Sequence, residues 1–255
     1  MKNAQRLKLA AAAALALGLS FSAGAATADK PSVVLVHGAF ADGSDWAKVI
    51  PLLQAKGVHV VSVQNPLTSL EDDVAAAKRA IDAQPGKVVL VGHSWGGTVI
   101  TEAGANDKVS SLVYVAAFAP DAGQSAGELG KNYPTAPGFA HVVADPNGFL
   151  SLTQEGMAKH FAQDLPAAAT SVMTVTQGPI QGKAFEQKVS VAAWKTRPSW
   201  YVVTSADHMI QPAQQRDMAK KIGAHVTTLN TSHVPQQSQP AKVAAVILDA
   251  VSQSK

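Results

Sequence analysis

The pentapeptide Gly92-His93-Ser94-Trp95-Gly96 places a serine between glycines directly after the apolar run Lys87-Val88-Val89-Leu90-Val91. A serine hydroxyl becomes a useful nucleophile when a neighbouring base takes its proton and a carboxylate orients that base. Glycines two before and two after Ser94 suit the tight, strained strand-to-helix turn that lifts such a hydroxyl above a sheet, and Gly97 leaves room for close helix–strand packing. In this architecture the acid and then the histidine follow the serine in chain order, each on a loop after a later strand. Asp207 follows Ser199–Thr204, and His233 follows His225–Leu229. His208 and His160 are the alternative bases, and Asp121 is the reserve acid. His37 and His93 are expected to make structural hydrogen bonds beneath the site.

Attack on a carbonyl also needs preorganised N–H donors for the developing oxyanion. One is the backbone N–H of Trp95, after the nucleophile. The other comes from the loop after the first strand, His37-Gly38-Ala39-Phe40, with Ala39 as first choice and Phe40 as second. No His, Asp or Glu cluster has metal-ligand spacing and no glycine-rich phosphate loop occurs, so no cofactor is expected.

These residues need a scaffold that brings strand ends together. Short β-branched runs alternate with helical segments: strands at Ser32–Val36, Val58–Val63, Lys87–Val91, Val109–Ala116, Ser199–Thr204 and His225–Leu229. Helices are expected over Trp46–Ala55, from the Ser69 cap to Asp82, over Trp95–Ala105 and over Ala241–Val251. This pattern predicts an α/β fold with a mostly parallel central sheet. Residues 121–195 lack a clear strand and hold helical pieces around Leu152–Phe161 and Ala167–Thr176. A stretch that long reads as a cap over the site. Phe139, Phe149, Met157, Phe161, Met173 and Trp194, together with Phe40, are its apolar candidates for substrate contact.

The chain has 255 residues, 47% hydrophobic and 15% charged, enough to bury a sizeable core. Its formal charge of +3 is concentrated: Lys2, Arg6 and Lys8 lie in the first eight residues, and no acid precedes Asp29. The basic start, the apolar run Leu9–Leu19 and the small residues Ser22–Ala26 read as an export signal over 1–28, cleaved near Ala25 or Ala28. The run falls short of the roughly 18–20 apolar residues of a membrane span. Residues 29–255 then carry 18 basic and 18 acidic residues, so no nucleic-acid partner and no stable membrane association are expected. The mature domain is expected in the periplasm or outside the cell. There is no cysteine, which excludes disulfides and a thiolate nucleophile.

Val36-His37-Gly38-Ala39-Phe40 with Trp46, Gly92-His93-Ser94-Trp95-Gly96-Gly97, and Ser232-His233-Val234-Pro235 followed by Ser238-Gln239-Pro240 resemble the α/β-hydrolase superfamily. Within it they are most similar to the small esterases grouped with plant methyl esterases and hydroxynitrile lyases. The resemblance covers about Pro31 to Val251. It implies an eight-stranded sheet with a helical cap inserted after the sixth strand, Ser94, Asp207 and His233 as a triad, and Ala39 and Trp95 as oxyanion donors. The lyase branch carries a lysine after the catalytic histidine and a threonine in the first oxyanion loop; Val234 and Gly38-Ala39 stand here instead. The expected activity is hydrolysis of small or medium apolar carboxylic esters, acyl or aryl, through an acyl-enzyme. A thioesterase, an amidase, a carbon–carbon bond hydrolase and a low-turnover ligand-binding protein remain open on the same residues.

Overall fold

A computed structural model describes residues 30–254. The export signal read over 1–28 lies outside the described residues.

Six parallel strands form the main sheet: β1 (Ser32–Val36), β2 (Val60–Val63), β3 (Val88–His93), β4 (Val109–Val115), β8 (Ser199–Thr204) and β9 (His225–Leu229). Their order is β2-β1-β3-β4-β8-β9. Every residue of β1, β3 and β8 is buried, as expected of near-continuous apolar runs covered on both faces. The order reverses at β1, which sends the chain to β2 on one side and pairs with β3 on the other. Such a reversal opens a crevice at the carboxyl ends of the strands, and both the His37–Phe40 loop and Ser94 lie there.

Strand alternation divides the core. Val34, Val36, Leu90, Tyr114 and Tyr201 face α2 (Leu70–Asp82), α3 (Gly96–Ala103) and the cap. Val33, Leu35, Val89, Val91, Val113 and Val202 pack with Trp46 and α9 (Pro240–Gln253) on the other face. Helix α2 begins where its sequence dictates: Ser69 Oγ accepts from Asp72 N at 3.0 Å, and Glu71, Asp72 and Asp73 occupy its first turn. Each Val or Leu buried in these layers stabilises the fold by about 1.5–3 kcal/mol.

Five expectations are corrected. The main sheet has six strands among the described residues rather than eight, with β2 and β9 at its edges. The cap therefore follows the fourth strand, not the sixth. The cap is also not purely helical. It carries an antiparallel sheet of β5 (Val142–Ala144), β6 (Phe149–Leu152) and β7 (Ile180–Gln181). Asp145-Pro146-Asn147-Gly148 makes the hairpin turn, with Gly148 at φ +82° and Asp145 Oδ1 accepting from Asn147 N and Phe149 N. The helix expected over Leu152–Phe161 is one turn, α5 (Gln154–Gly156), running into a π-helical turn Met157–Phe161. The helix expected over Trp46–Ala55 splits into a 3₁₀ turn Gly43–Trp46 and α1 (Ile50–Gln54), because Pro51 has no N–H to continue a helix and is tolerated only in the first turn. The cap also holds α4 (Ala126–Leu129) and α6 (Ala167–Thr176), and α7 (Pro212–Lys221) and α8 (Pro235–Ser238) complete the set.

Candidate active site

Ser94 sits at the turn between β3 and α3 with φ +51°, in the left-handed region that costs a side-chain-bearing residue on the order of 1–3 kcal/mol. The glycines explain how the turn closes. A Cβ on Gly92 would lie 2.5 Å from Gly96 O, and one on Gly96 would lie 2.6 Å from Val36 O. Ser94 N donates to Val115 O at 3.2 Å, while Ser94 O accepts from Gly97 N at 3.0 Å and Phe118 N at 3.2 Å. The strained residue is thus pinned by β4, the segment after it and the first turn of α3.

The loop after β1 comes down beside it. A Cβ on Gly38 would meet Ser94 Cβ at 2.8 Å, so only glycine permits that approach. His37 locks the loop: Nε2 accepts from Asn65 N at 2.9 Å, and Nδ1 donates to Gly38 O at 2.8 Å. Burial pulls the His37 pKa down, consistent with that neutral tautomer. Phe40 also has positive φ, +59°. The backbone N–H groups of Ala39, Phe40 and Trp95 have no acceptor among the described residues, which leaves them free to bind an oxyanion.

Asp207 and His233 meet from the loops after β8 and β9. Asp207 Oδ2 lies 2.7 Å from His233 Nδ1, and both residues are buried. Asp207 Oδ2 also accepts from Thr204 Oγ1 at 2.8 Å and Gln215 Nε2 at 2.7 Å, and Oδ1 accepts from Met209 N at 2.7 Å and Ile210 N at 3.0 Å. Burial pushes the Asp207 pKa up, but its coupling to the His233 imidazole and the Ile210 and Met209 N–H groups outweigh it and hold the group below the ordinary carboxylate range. Burial lowers the His233 pKa, against the pull of Asp207, so the imidazole is held neutral and ready to accept a proton. Ser94 and His233 line one narrow cavity together with Ala39, Phe40 and Phe161.

The sequence matches the "Alpha/beta hydrolase family" over residues 33–246. The chain belongs to that family. The hydrolase is 26% identical over 242 residues to "Probable hydrolase R7" of Phoma sp., covering 86% of this chain and 98% of the relative. It is 26% identical to the pyrethroid hydrolase of Sphingobium wenxiniae, covering 85% of this chain and 86% of that one, and 26% identical to methylesterase 2 of Arabidopsis thaliana, covering 83% and 92%. In fold the hydrolase is similar to a pyrethroid hydrolase from Sphingobium faniae, with TM-score 0.76, 23% identity and coverage of 88% of this chain and 98% of the other. These relatives make it an α/β hydrolase of the esterase type.

The remaining candidates fall in different places. His208 turns away from the site, with Nδ1 3.3 Å from His160 Nδ1, and His160 stacks on His141. Asp121 pairs with Lys195 at 2.5 Å. Phe40 and Phe139 line both the narrow cavity and the neighbouring larger one of about 660 Å³, and Phe161 lines the narrow one. Met157 and Trp194 reach neither cavity: Met157 is buried in the core beneath the cap, and Trp194 donates its indole N–H to Pro120 O at 2.8 Å. Phe149 and Met173 also lie outside. Sequence reasoning missed Phe118, Phe185 and Met209, which line both cavities. Phe118 follows β4 at the carboxyl edge of the sheet, a position that could have flagged it. Phe185 comes from a 3₁₀ turn, Gly182–Glu186, with no signal of its own. Also missed was Asp73, buried on α2, whose carboxylate accepts from the Trp95 indole N–H at 2.7 Å and from Leu67 N at 2.7 Å. Burial raises the pKa of Asp73 to about 6.

Proposed function

We propose that the protein hydrolyses carboxylic esters of apolar, aromatic-sized substrates through an acyl-enzyme on Ser94. The observation that carries this reading is a strained serine sharing one narrow cavity with a histidine that is bonded to a buried, hydrogen-bonded carboxylate. His233 takes the Ser94 hydroxyl proton as Oγ attacks the ester carbonyl, and Asp207 fixes the imidazole and stabilises the imidazolium. The N–H groups of Ala39 and Trp95 receive the oxyanion, with Phe40 the alternative to Ala39. His233 then protonates the leaving alcohol and later activates the water that releases the acid.

A cavity of about 660 Å³ bordered by Phe40, Phe118, Phe139 and Phe185 suits a largely apolar ligand. The names of the relatives, a pyrethroid hydrolase and methylesterases, point to the same bond class. The wall also holds Gln214, buried, with Nε2 unpartnered among the described residues. We propose further that residues 1–28 direct export and are removed, which sequencing of the mature N-terminus tests.

A panel of p-nitrophenyl esters, an acyl-thioester and an anilide tests the reaction class. Esters of apolar acids should turn over fastest, and Ser94→Ala should lose at least about 10⁴-fold in kcat while keeping its fold. Full activity in that variant, or preference for the anilide, overturns the reading.

A further inference from the structure

A second buried carboxylate–imidazole pair lies behind the first, and the proposed reaction makes no direct use of it. Asp45, on the 3₁₀ turn that follows the oxyanion loop, and His93, the residue before Ser94, are both shielded from solvent. Asp45 Oδ2 is 3.2 Å from His93 Nδ1, a close contact rather than a well-directed hydrogen bond. The other nitrogen of that ring, Nε2, donates to the backbone carbonyl of His233 at 2.9 Å. The two imidazoles lie 4.8 Å apart, centre to centre, and Phe161 stands edge-on to both.

Asp45 also reaches the base loop directly. Gln236 Nε2 donates to Asp45 Oδ2 at 2.6 Å, and Gln237 Nε2 donates to Asp45 O at 2.7 Å. One carboxylate therefore ties together the segment after the oxyanion loop, the end of β3 and the segment after His233, residues up to 191 apart in sequence. A buried carboxylate is costly unless it is paired and hydrogen-bonded. Burial pushes the Asp45 pKa up, yet His93 and Gln236 outweigh it and hold it below the ordinary carboxylate range. A carboxylate buried in the core without lining either cavity calls for a role beyond packing.

We infer that Asp45 and His93 are a positioning pair that holds His233 in register with Ser94 and sets its charge environment. This rests on His233 being the base. The pair acts on His233 in two ways. Through the His93-to-His233 carbonyl bond and the Gln236 and Gln237 anchors it fixes the backbone that carries the ring. Through space, the Asp45 charge favours the imidazolium that forms during attack, and His93 opposes it. The groups that act on the His233 ring are Asp207 from the loop after β8, His93 from β3 and Asp45 from the 3₁₀ turn; Asp164 of the cap holds the same loop by accepting from Ser232 N at 3.0 Å.

The test uses Asp45→Asn, His93→Gln and the double variant in the full chain, with kcat, KM and the pH dependence of kcat/KM on a p-nitrophenyl ester. Each single change should lower kcat about tenfold to a hundredfold with KM within about twofold, the scale on which a misplaced catalytic group loses rate. The double variant should be no worse than the worse single, as expected of groups acting as a unit. The acid limb should move in opposite directions: to lower pH in Asp45→Asn, which removes an attraction for the proton, and to higher pH in His93→Gln, which removes a repulsion. A purely structural role does not predict opposite shifts. Wild-type kcat and an unmoved acid limb in both singles overturn the inference. If circular dichroism shows that Asp45→Asn does not fold, His93→Gln carries the same test alone. Fluorophosphonate labelling separates the two levels. No label on Ser94 in the unaltered protein breaks the triad reading, whereas wild-type labelling rates in both variants break this one.

Discussion

The floor and the roof of the site are held by different forces. The floor is built from strand ends and polar contacts: Asp207 accepts from Met209, Ile210, Thr204, Gln215 and His233, and Ser94 is bonded to Val115, Phe118 and Gly97. The roof is built from aromatic side chains on short pieces, a three-residue strand, a π-helical turn and 3₁₀ turns. Its outer face leaves Val172 58% and Val175 82% exposed. A hydrogen-bonded floor fixes atoms to within a fraction of an ångström, as chemistry requires. An apolar roof tolerates changes of shape and volume, as a substrate pocket requires. Floor substitutions should therefore change kcat across all substrates, and roof substitutions should change relative preference among them.

Asp207→Asn should have the largest effect. It removes the charge that stabilises the imidazolium and favours the wrong imidazole tautomer, so kcat should fall about 10⁴-fold on every ester, and the thermal midpoint should drop because a buried acceptor of five hydrogen bonds is altered. Steady-state kinetics on three esters of different size checks the first part, and a thermal melt the second. Gly96→Ala should come next. Its Cβ would lie 2.6 Å from Val36 O, a backbone atom that cannot swing aside, so the elbow must shift. A loss of about 100-fold in kcat and of about 1–3 kcal/mol in denaturant unfolding is expected.

Asp73 sharpens the contrast by adding a pH signature to the floor. Its pKa in the folded protein, about 6, lies above the ordinary 3.8, so the folded state binds the proton more tightly than the unfolded one. Stability from this group is therefore present below about pH 4, is lost as pH rises toward 6, and is flat beyond, with a span on the order of 3 kcal/mol. The difference in unfolding free energy between the unaltered protein and Asp73→Asn, followed from pH 4 to 7, should change over that window and not above it. Phe185→Ala should have the smallest effect and belongs to the roof. It should raise KM for bulky aromatic esters about tenfold and leave kcat on a short acyl ester within about twofold. Equal losses on both would place Phe185 in the floor's class.

The same contrast governs what could be read from the sequence. The floor was legible because its signals are local. Val88–Val91 is continuously apolar, and the G-x-S-x-G spacing is contained in five residues. Asp207 and His233 could be placed because each follows a readable strand. The roof was read as helical because β5 and β6 are three and four residues long and Val143 is half exposed, so no alternation marks them. Only the Pro146-Asn147-Gly148 turn announced that hairpin. Phe40, Phe139 and Phe161 reached the cavities while Met157 and Trp194 did not, because apolarity does not say which side of a cap element a residue faces. Asp45 and Asp73 escaped notice for another reason. Their meaning lies in contacts to His93, Gln236 and Trp95, between 22 and 191 residues away.

The central claim is that Ser94 carries the acyl group. Rapid mixing of the full chain with an excess of a p-nitrophenyl ester, followed by acid quench and peptide mass mapping, tests it directly. The account predicts a burst approaching one equivalent of p-nitrophenolate per chain, an acyl mass increment on the peptide containing Ser94, and neither in Ser94→Ala. An acyl adduct on another residue, or steady turnover in Ser94→Ala at the unaltered rate, would contradict it.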